Sequence, residues 1–429
     1  MNMGTGMVIE TPKRLNRRSA SRSRNFGPPK ISRERLWIVL ISLLSIAAFV
    51  VTLQVSVAGS VRTKRPQLAL MMAPFDAAAR SRLASQLVAS EETRETAGSL
   101  AKDAIVRDAL QPVAFRVLSE SLGGQASSLK AAEDLMRQSA RLSRREVSTQ
   151  MWFIEHFGRI GDAKQMVQHF DIALRTSESA WRTGFPMLAL AAAEPQGEEL
   201  VVKTLSDRPV WAKEFARYMT GSGTDLAFAA RVAELLLETT DRDNRGHYLL
   251  LLRRLTEGGF HSRAWEIYGK LGFVDADAKM RLVRNGDFDG AEDGTPFDWT
   301  YAQEPELWAA RERVDGQGFV LRLAAYNGRS GEVASQLIHL SPGVHRINLL
   351  MGDVPADRYD RPEFFLSCVG KTDAHLASVV SDTPGPRPQN LAASFIVPRE
   401  CAFQRIVIRV SGEGPLNDSL PWIDDISIE

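Results

Sequence analysis

Chemistry in this chain has to come from a few acids, two cysteines and a scatter of exposed-looking aromatics. In the closing stretch "WIDDISIE" a period of two puts Trp422, Asp424, Ile426 and Ile428 on one face. A carboxylate is therefore expected among apolar neighbours, where an unpaired charge is costly. It needs a partner, either a cation or a guanidinium such as that of Arg284 or Arg405. The only cysteines, Cys368 and Cys401, would close a loop of about 34 residues if paired, which the chain-entropy relation values at about 3 to 4 kcal/mol. Two buried free thiols are the alternative.

Other arrangements fail for want of the right residue at the right spacing. Gly370, Lys371 and Thr372 have the ending of a phosphate-binding loop, but Phe365 stands where its first glycine is needed. Ser330, between Gly328 and Gly331, misses the spacing of a nucleophile elbow. The seven histidines are scattered, with no pair at helical ligand spacing. A pair of acids could still serve a glycosidase, because their separation belongs to the structure. No enzyme is expected. The whole chain carries 53 Lys and Arg against 52 Asp and Glu, so net charge gives no reason to expect a nucleic-acid partner.

The elements that position these residues change character near "RNGDFDGAEDGTPFDW", Arg284 to Trp299. Beyond it apolar and polar residues alternate, as in "GFVLRL" (Phe319, Leu321 and Leu323 on one face) and "AFQRIVIRV" (Ile406, Ile408 and Val410). With "QLIHL", "GVHRINLLMG", "EFFLSCV", "LAASFIV" and "WIDDISIE" this predicts roughly eight short strands, an antiparallel sandwich. Before it, from about Phe75 to Leu271, apolar residues follow the helical period: Ala163, Met166, Val167, Phe170, Ala173 and Leu174; Ala132, Leu135, Met136 and Ala140; Phe228, Val232, Leu235 and Leu236. Ala140 and Ala173 end successive stripes about 33 residues apart, the repeat of stacked helical hairpins.

At the start, Lys13, Arg14, Arg17, Arg18, Arg22, Arg24, Lys30, Arg33 and Arg35 meet only Glu10 and Glu34, a basic tail expected to be disordered. It runs into Leu36–Ala58, an uncharged apolar stretch long enough for a membrane-spanning helix of about 20 residues. The positive-inside rule keeps the tail in the cytoplasm and places the bulk outside the cytoplasmic membrane, in the periplasm. Cleavage of a signal peptide after Ala58 is the competing reading, with Ser56 and Ala58 the small residues; the length of the apolar run favours an anchor. The expected division is 1–35 tail, 36–58 membrane helix, 59–74 linker, 75–278 helical domain and 282–429 sandwich.

Two resemblances add to this. In "GRIGDAKQMVQHFDIAL" and "GGFHSRAWEIYGKLG", with Ala264, Trp265 and Tyr268 at packing positions, the helical part resembles degenerate tetratricopeptide repeats, three to five hairpins. No single unit carries that family's full pattern. The order of "NGDFDG", "PFDW", "SPGVHRINL" and "IDDISI" from Leu282 to Glu429 resembles the carbohydrate-binding-module jelly rolls of the galactose-binding-like type, a resemblance that implies a first strand at "NGDFDG" and a closing strand at "IDDISI". That resemblance implies a multidomain chain ending in an all-β jelly roll, with Trp308, Tyr326, Asn327, Arg329 and Trp299 as glycan-binding candidates. It also implies a structural calcium held by Asp289 with Asp424 or Asp425; the alternative is that these acids cap turns or meet Arg284 or Arg405. No other cofactor is expected. The combination resembles membrane-anchored bacterial accessory proteins of exopolysaccharide production. It implies a non-enzymatic scaffold that meets envelope proteins through its helices and polysaccharide through its sandwich, or else a glycan-binding or glycan-processing protein whose sandwich carries the activity.

Overall fold

The computed structural model describes residues 33–123, 128–238, 241–271, 282–370, 374–413 and 420–429. The tail up to residue 32, the expected helical boundary at residue 278, and Lys371 and Thr372 lie outside them. Residue contacts divide the chain into two compact units, 1–142 and 143–429, so the change from helices to strands falls inside the second unit.

The first unit holds α1 (Arg33–Val61), α2 (Pro66–Met72), α3 (Ala77–Leu87), α4 (Arg94–Arg107), α5 (Pro112–Ser121) and α6 (Leu129–Leu142). Within α1, Leu36–Val61 is long and apolar enough to cross a membrane. The stretch 59–74 is mostly helical: α1 continues into it, and Pro66 at the first turn starts α2, where the missing N–H costs nothing. Asp76 caps α3 by accepting from Ala79 N at 3.0 Å.

The second unit begins with eight α-helices among the described residues: α7 (Val147–Ile160), α8 (Ala163–Thr176), α9 (Trp181–Ala191), α10 (Pro195–Ser206), α11 (Ala212–Ser222), α12 (Leu226–Leu236), α13 (Arg242–Glu257) and α14 (His261–Lys270). Gly161 shows how sequence makes a hairpin here. It ends α7 in the left-handed conformation at φ 78°, and Asp162 at once caps α8 through Gln165 N at 3.0 Å. Asp225 caps α12 in the same way. The buried stripes meet in a core of Phe170, Trp211, Phe215, Phe228, Leu252 and Leu255.

That core also takes in Phe297 and Phe403 from the strand region. Trp265 of α14 meets Phe297 edge-on at 4.9 Å and stacks on His339 at 5.5 Å, while the Arg284 guanidinium donates to the Tyr268 hydroxyl at 2.9 Å. The helices of this second unit and the sandwich are therefore packed together.

The strands are β1 (Thr300–Tyr301), β2 (Gln303–Glu304), β3 (Leu307–Val314), β4 (Gly318–Ala325), β5 (Arg329–Ile338), β6 (Gly343–Gly352), β7 (Glu363–Cys368), β8 (His375–Val380), β9 (Gln389–Val397), β10 (Gln404–Gly412) and β11 (Trp422–Ile428). They form two antiparallel sheets, ordered β1-β5-β10-β7-β8 and β2-β3-β4-β11-β6-β9. Leu321, Leu323, Leu349, Met351 and Ile423 of one sheet face Phe364, Leu366, Ile406 and Ile408 of the other across a shared core.

Two local expectations are corrected. The stretch "NGDFDG" is not a strand: Asn285 and Phe288 have φ of 46° and 50°, and Gly290 N donates to the Asn285 side chain at 2.7 Å, so the backbone turns instead of extending. Asp424 does not share a face with Ile426 and Ile428. The register of β11 against β6 shifts between Asp424 and Ser427, with Asp425 at φ 49°, so Trp422 and Asp424 lie on the face of the sheet away from the sandwich core, each buried there at 3% exposure, while Ile426 and Ile428 join the core.

Cys368, ending β7, is bonded to Cys401 before β10, with Cα atoms 5.5 Å apart. The bridge sits under the platform that receives α14, where Val369 N donates to Phe403 O at 2.9 Å. Replacing both cysteines by serine is expected to lower unfolding stability by about 3 kcal/mol. The check is the urea midpoint; an unchanged midpoint would deny the bridge any role.

Candidate functional site

Of the residues singled out by sequence, three come together at one corner, and Trp308 lies on the strand that borders it. Trp308 is half-buried on the outer face of β3, paired with Gln303 and Ala324. Tyr326, Asn327 and Arg329 lie in the β4–β5 turn and the start of β5. Each is tied to the β2–β3 hairpin: the Tyr326 hydroxyl donates to Pro305 O, Asn327 Nδ2 donates to Glu306 Oε1 at 3.0 Å, and Arg329 pairs with Glu304. Glu304 and Glu306 complete this corner, and their part was not readable from spacing. Trp299 is elsewhere. It is 4% exposed in the sandwich core beside Phe288, with Nε1 donating to Asn285 O at 3.1 Å, so it has no ring face to offer a ligand.

A second arrangement is made by strand register alone. On the outer face of the five-stranded sheet, Val407 of β10 is paired with Phe365 of β7 and Ser335 of β5, and Arg409 with Glu363 and Glu332. The Arg409 guanidinium lies 4.8 Å from the Phe365 ring centre, and His375 of β8 lies 4.7 Å from it on a tilted plane. Three planar groups from adjacent strands thus form a row. Around it, Arg405 pairs with Glu332 and reaches Ser335 Oγ at 3.2 Å, and Ser378 donates to Glu363 at 2.6 Å. Leu337 and Val369 pack into the helical core at one end of this sheet, while Arg405, Arg409, His375 and Ser378 are exposed. A rigid surface with aromatic and guanidinium planes, and with hydroxyls and carboxylates at hydrogen-bonding spacing, can take a flat polar ligand such as a sugar ring.

Asp424 and Asp425 lie on β11 of the other sheet, and Asp287 and Asp289 in the turn beside it. Asp424 is 3% exposed, and its Oδ1 accepts from Asp425 N at 2.8 Å. Burial first, then the charges of Asp425, Asp289 and Asp287, push its pKa up to about 7, against the single backbone hydrogen bond that lowers it. Asp289 accepts from Phe319 N at 3.1 Å. The acids therefore feel one another. Even so, among the described residues no group of three or more His, Cys, Asp or Glu side chains is placed to hold a metal ion.

Asp298 belongs to the helix–sandwich junction. It is fully buried, accepts from Asp293 N and Trp299 N at 2.8 Å each, and has its carboxyl raised by desolvation. Arg284 pairs with Asp293 at 2.9 Å beside it. These acids fasten the turn that joins the two layers.

No family model matches the chain. No curated protein matches it. Among solved structures, the chain is similar over its β region to a family 4 carbohydrate-binding module (14% identity, 34% of this chain, 98% of that chain, TM-score 0.26). It is likewise similar to a module titled "Family 16 Carbohydrate Binding Module-2" (15% identity, 34% of this chain, 99% of that chain, TM-score 0.25). A match to the enzymatically active domain of tailspike protein 4 of bacteriophage CBA120 (12% identity, 34% of this chain, TM-score 0.27) spans only 21% of that longer chain.

Proposed function

We propose that the chain is a non-enzymatic, membrane-anchored envelope protein of surface-polysaccharide assembly or export, one that binds glycan on the open face of its five-stranded sheet. The observation that carries this reading is the row of Arg409, Phe365 and His375 across three neighbouring strands, flanked by exposed hydrogen-bonding groups. The Leu36–Val61 segment of α1 supports the anchor, and the paired helices supply surfaces for protein partners. A periplasmic location follows from the basic tail and the positive-inside rule.

Affinity electrophoresis of the purified chain in gels carrying soluble polysaccharides tests the reading. Phe365→Ala, with Arg409→Ala as a second variant, is expected to weaken retardation about tenfold, equivalent to ~1.4 kcal/mol. Trp308→Ala tests the sequence-predicted corner independently. If no polysaccharide retards the parent chain, or Phe365→Ala binds as well as the parent, the face is not the site. A glycan-processing role would need Glu332 and Glu363, which flank Arg409 in the register, as the reacting pair. Release of new reducing ends is the result that would favour it.

A further inference from the structure

The first unit has one end that is chemically unlike the rest of it. Antiparallel pairing brings the start of α3 to the end of α4: Arg80 pairs with Asp103, and the Arg107 guanidinium lies 5.4 Å from the Phe75 ring centre. Ser139 Oγ of α6 donates to Pro112 O at the start of α5 at 2.8 Å, so the last turn of α6 comes to the start of α5. α1 leaves from this end too, because Ala58 near its close packs with Ala69 of α2 and Ala79 of α3 in one small cluster.

Four large apolar side chains are displayed here: Met71 at 80% exposure, Phe75 at 79%, Val106 at 85% and Leu110 at 72%. Among the described residues of the unit outside α1, the other exposed large apolar side chains, Leu68, Leu122 and Leu129, reach no more than 39%. Exposed bases accompany the four, with Arg62, Lys64 and Arg65 directly after α1 and Arg107 over Phe75. The acids nearby are already engaged: Asp76 caps α3, Asp103 pairs with Arg80 and Arg107, and Asp108 accepts from Leu110 N at 2.9 Å.

Water is a poor neighbour for such a surface, and the transmembrane reading of α1 supplies a better one. We propose that this end is a membrane foot: Met71, Phe75, Val106 and Leu110 enter the interfacial layer of the leaflet from which α1 emerges, and the flanking bases meet anionic lipid headgroups. The inference rests on α1 spanning the bilayer. The occupant is a lipid surface because the patch is continuous with that helix and combines apolar tips with positive charge, the composition of interfacial anchors. Its consequence is mechanical. A unit held by a helix and a foot stands in a fixed attitude on the membrane, whereas one held by a helix alone swivels.

The test uses the full chain in vesicles of phosphatidylcholine and phosphatidylglycerol. The native cysteines are bonded to each other, so a single introduced cysteine can carry a polarity-sensitive fluorophore. Val106→Cys labelled this way is expected to be quenched by lipids bearing a shallow spin label at least about twofold more than Leu190→Cys, an exposed apolar position of the second unit at 76%. Ile46→Cys, within α1, should be quenched by the deep label. If position 46 is quenched and position 106 behaves like position 190, the foot is overturned while the anchor stands. If position 46 is not quenched by the deep label, the anchor fails and the foot falls with it. Energy transfer between labelled copies in place of lipid quenching at position 106 would assign the face to a second copy of the chain and overturn the proposal. Unchanged quenching in vesicles of phosphatidylcholine alone would overturn the part given to the bases.

Discussion

Alanine at position 286 is expected to destabilise the sandwich more than any other single methyl added in the opening turn. A Cβ there would lie 2.0 Å from the carbonyl oxygen of Ile426 and 3.0 Å from its carbonyl carbon. Neither backbone is free to yield, since Ile426 N donates to Gly286 O at 2.9 Å and the shifted register of β11 begins just before it. The requirement is for space, because glycine lets the turn "NGDFDG" lie directly against the last strand. Gly286→Ala should therefore cost about 3 kcal/mol or more, in the range that marks a specific structural fault. Gly294→Ala is the matched control: its φ of 74° penalises a side chain, but nothing lies within 4 Å, so about 1 to 2 kcal/mol is expected. Urea unfolding followed by tryptophan fluorescence compares them, with Trp299 well placed to report because it hydrogen-bonds Asn285 O. Equal midpoints for the two variants would mean that the first turn and the last strand are not fastened as described.

The same region shows what the sequence could and could not disclose. Hairpins of helices were readable because their signals are local: Gly161 and Asp162 are adjacent, and each acts on its own turn. Strands such as β4 and β10 were readable because alternation is local too. Register was not. Phe365, His375 and Arg409 lie on three separate strands, and nothing in a single chain states that β7 runs between β8 and β10. The corner of Tyr326, Asn327 and Arg329 could be found because those residues are neighbours in sequence, while Glu304 and Glu306, which hold it, are about twenty residues away. Period two also misplaced Asp424, since one register shift with a left-handed Asp425 exchanges the two faces beyond it. The charges of Asp287 and Asp289 in the opening motif do bear on Asp424 at the far end of the chain, but through a turn and not through a first strand.

That misplaced acid gives the second large effect. The folded state holds the Asp424 carboxyl at a pKa of about 7, and the unfolded chain releases it to its ordinary value near 4. Between those values the folded protein binds more protons than the unfolded one, so stability falls as pH rises through this window and levels off above it. The gap between the two values corresponds to an upper limit of ~4 kcal/mol. Asp424→Asn removes the titrating group and keeps an oxygen for Asp425 N, which in the parent donates to Asp424 at 2.8 Å. The variant should match the parent at about pH 4 and exceed its stability by about 2 to 4 kcal/mol at about pH 8. Denaturant unfolding across that range, with and without millimolar calcium, supplies the check. If calcium lifts the parent at the alkaline end and cancels the advantage of the variant, the carboxylates of Asp424 and its neighbours gather around a cation when one is offered. If parent and variant run parallel from acid to alkali without calcium, the carboxyl is not held against its charge, and the repulsion among Asp287, Asp289, Asp424 and Asp425 is already relieved by solvent.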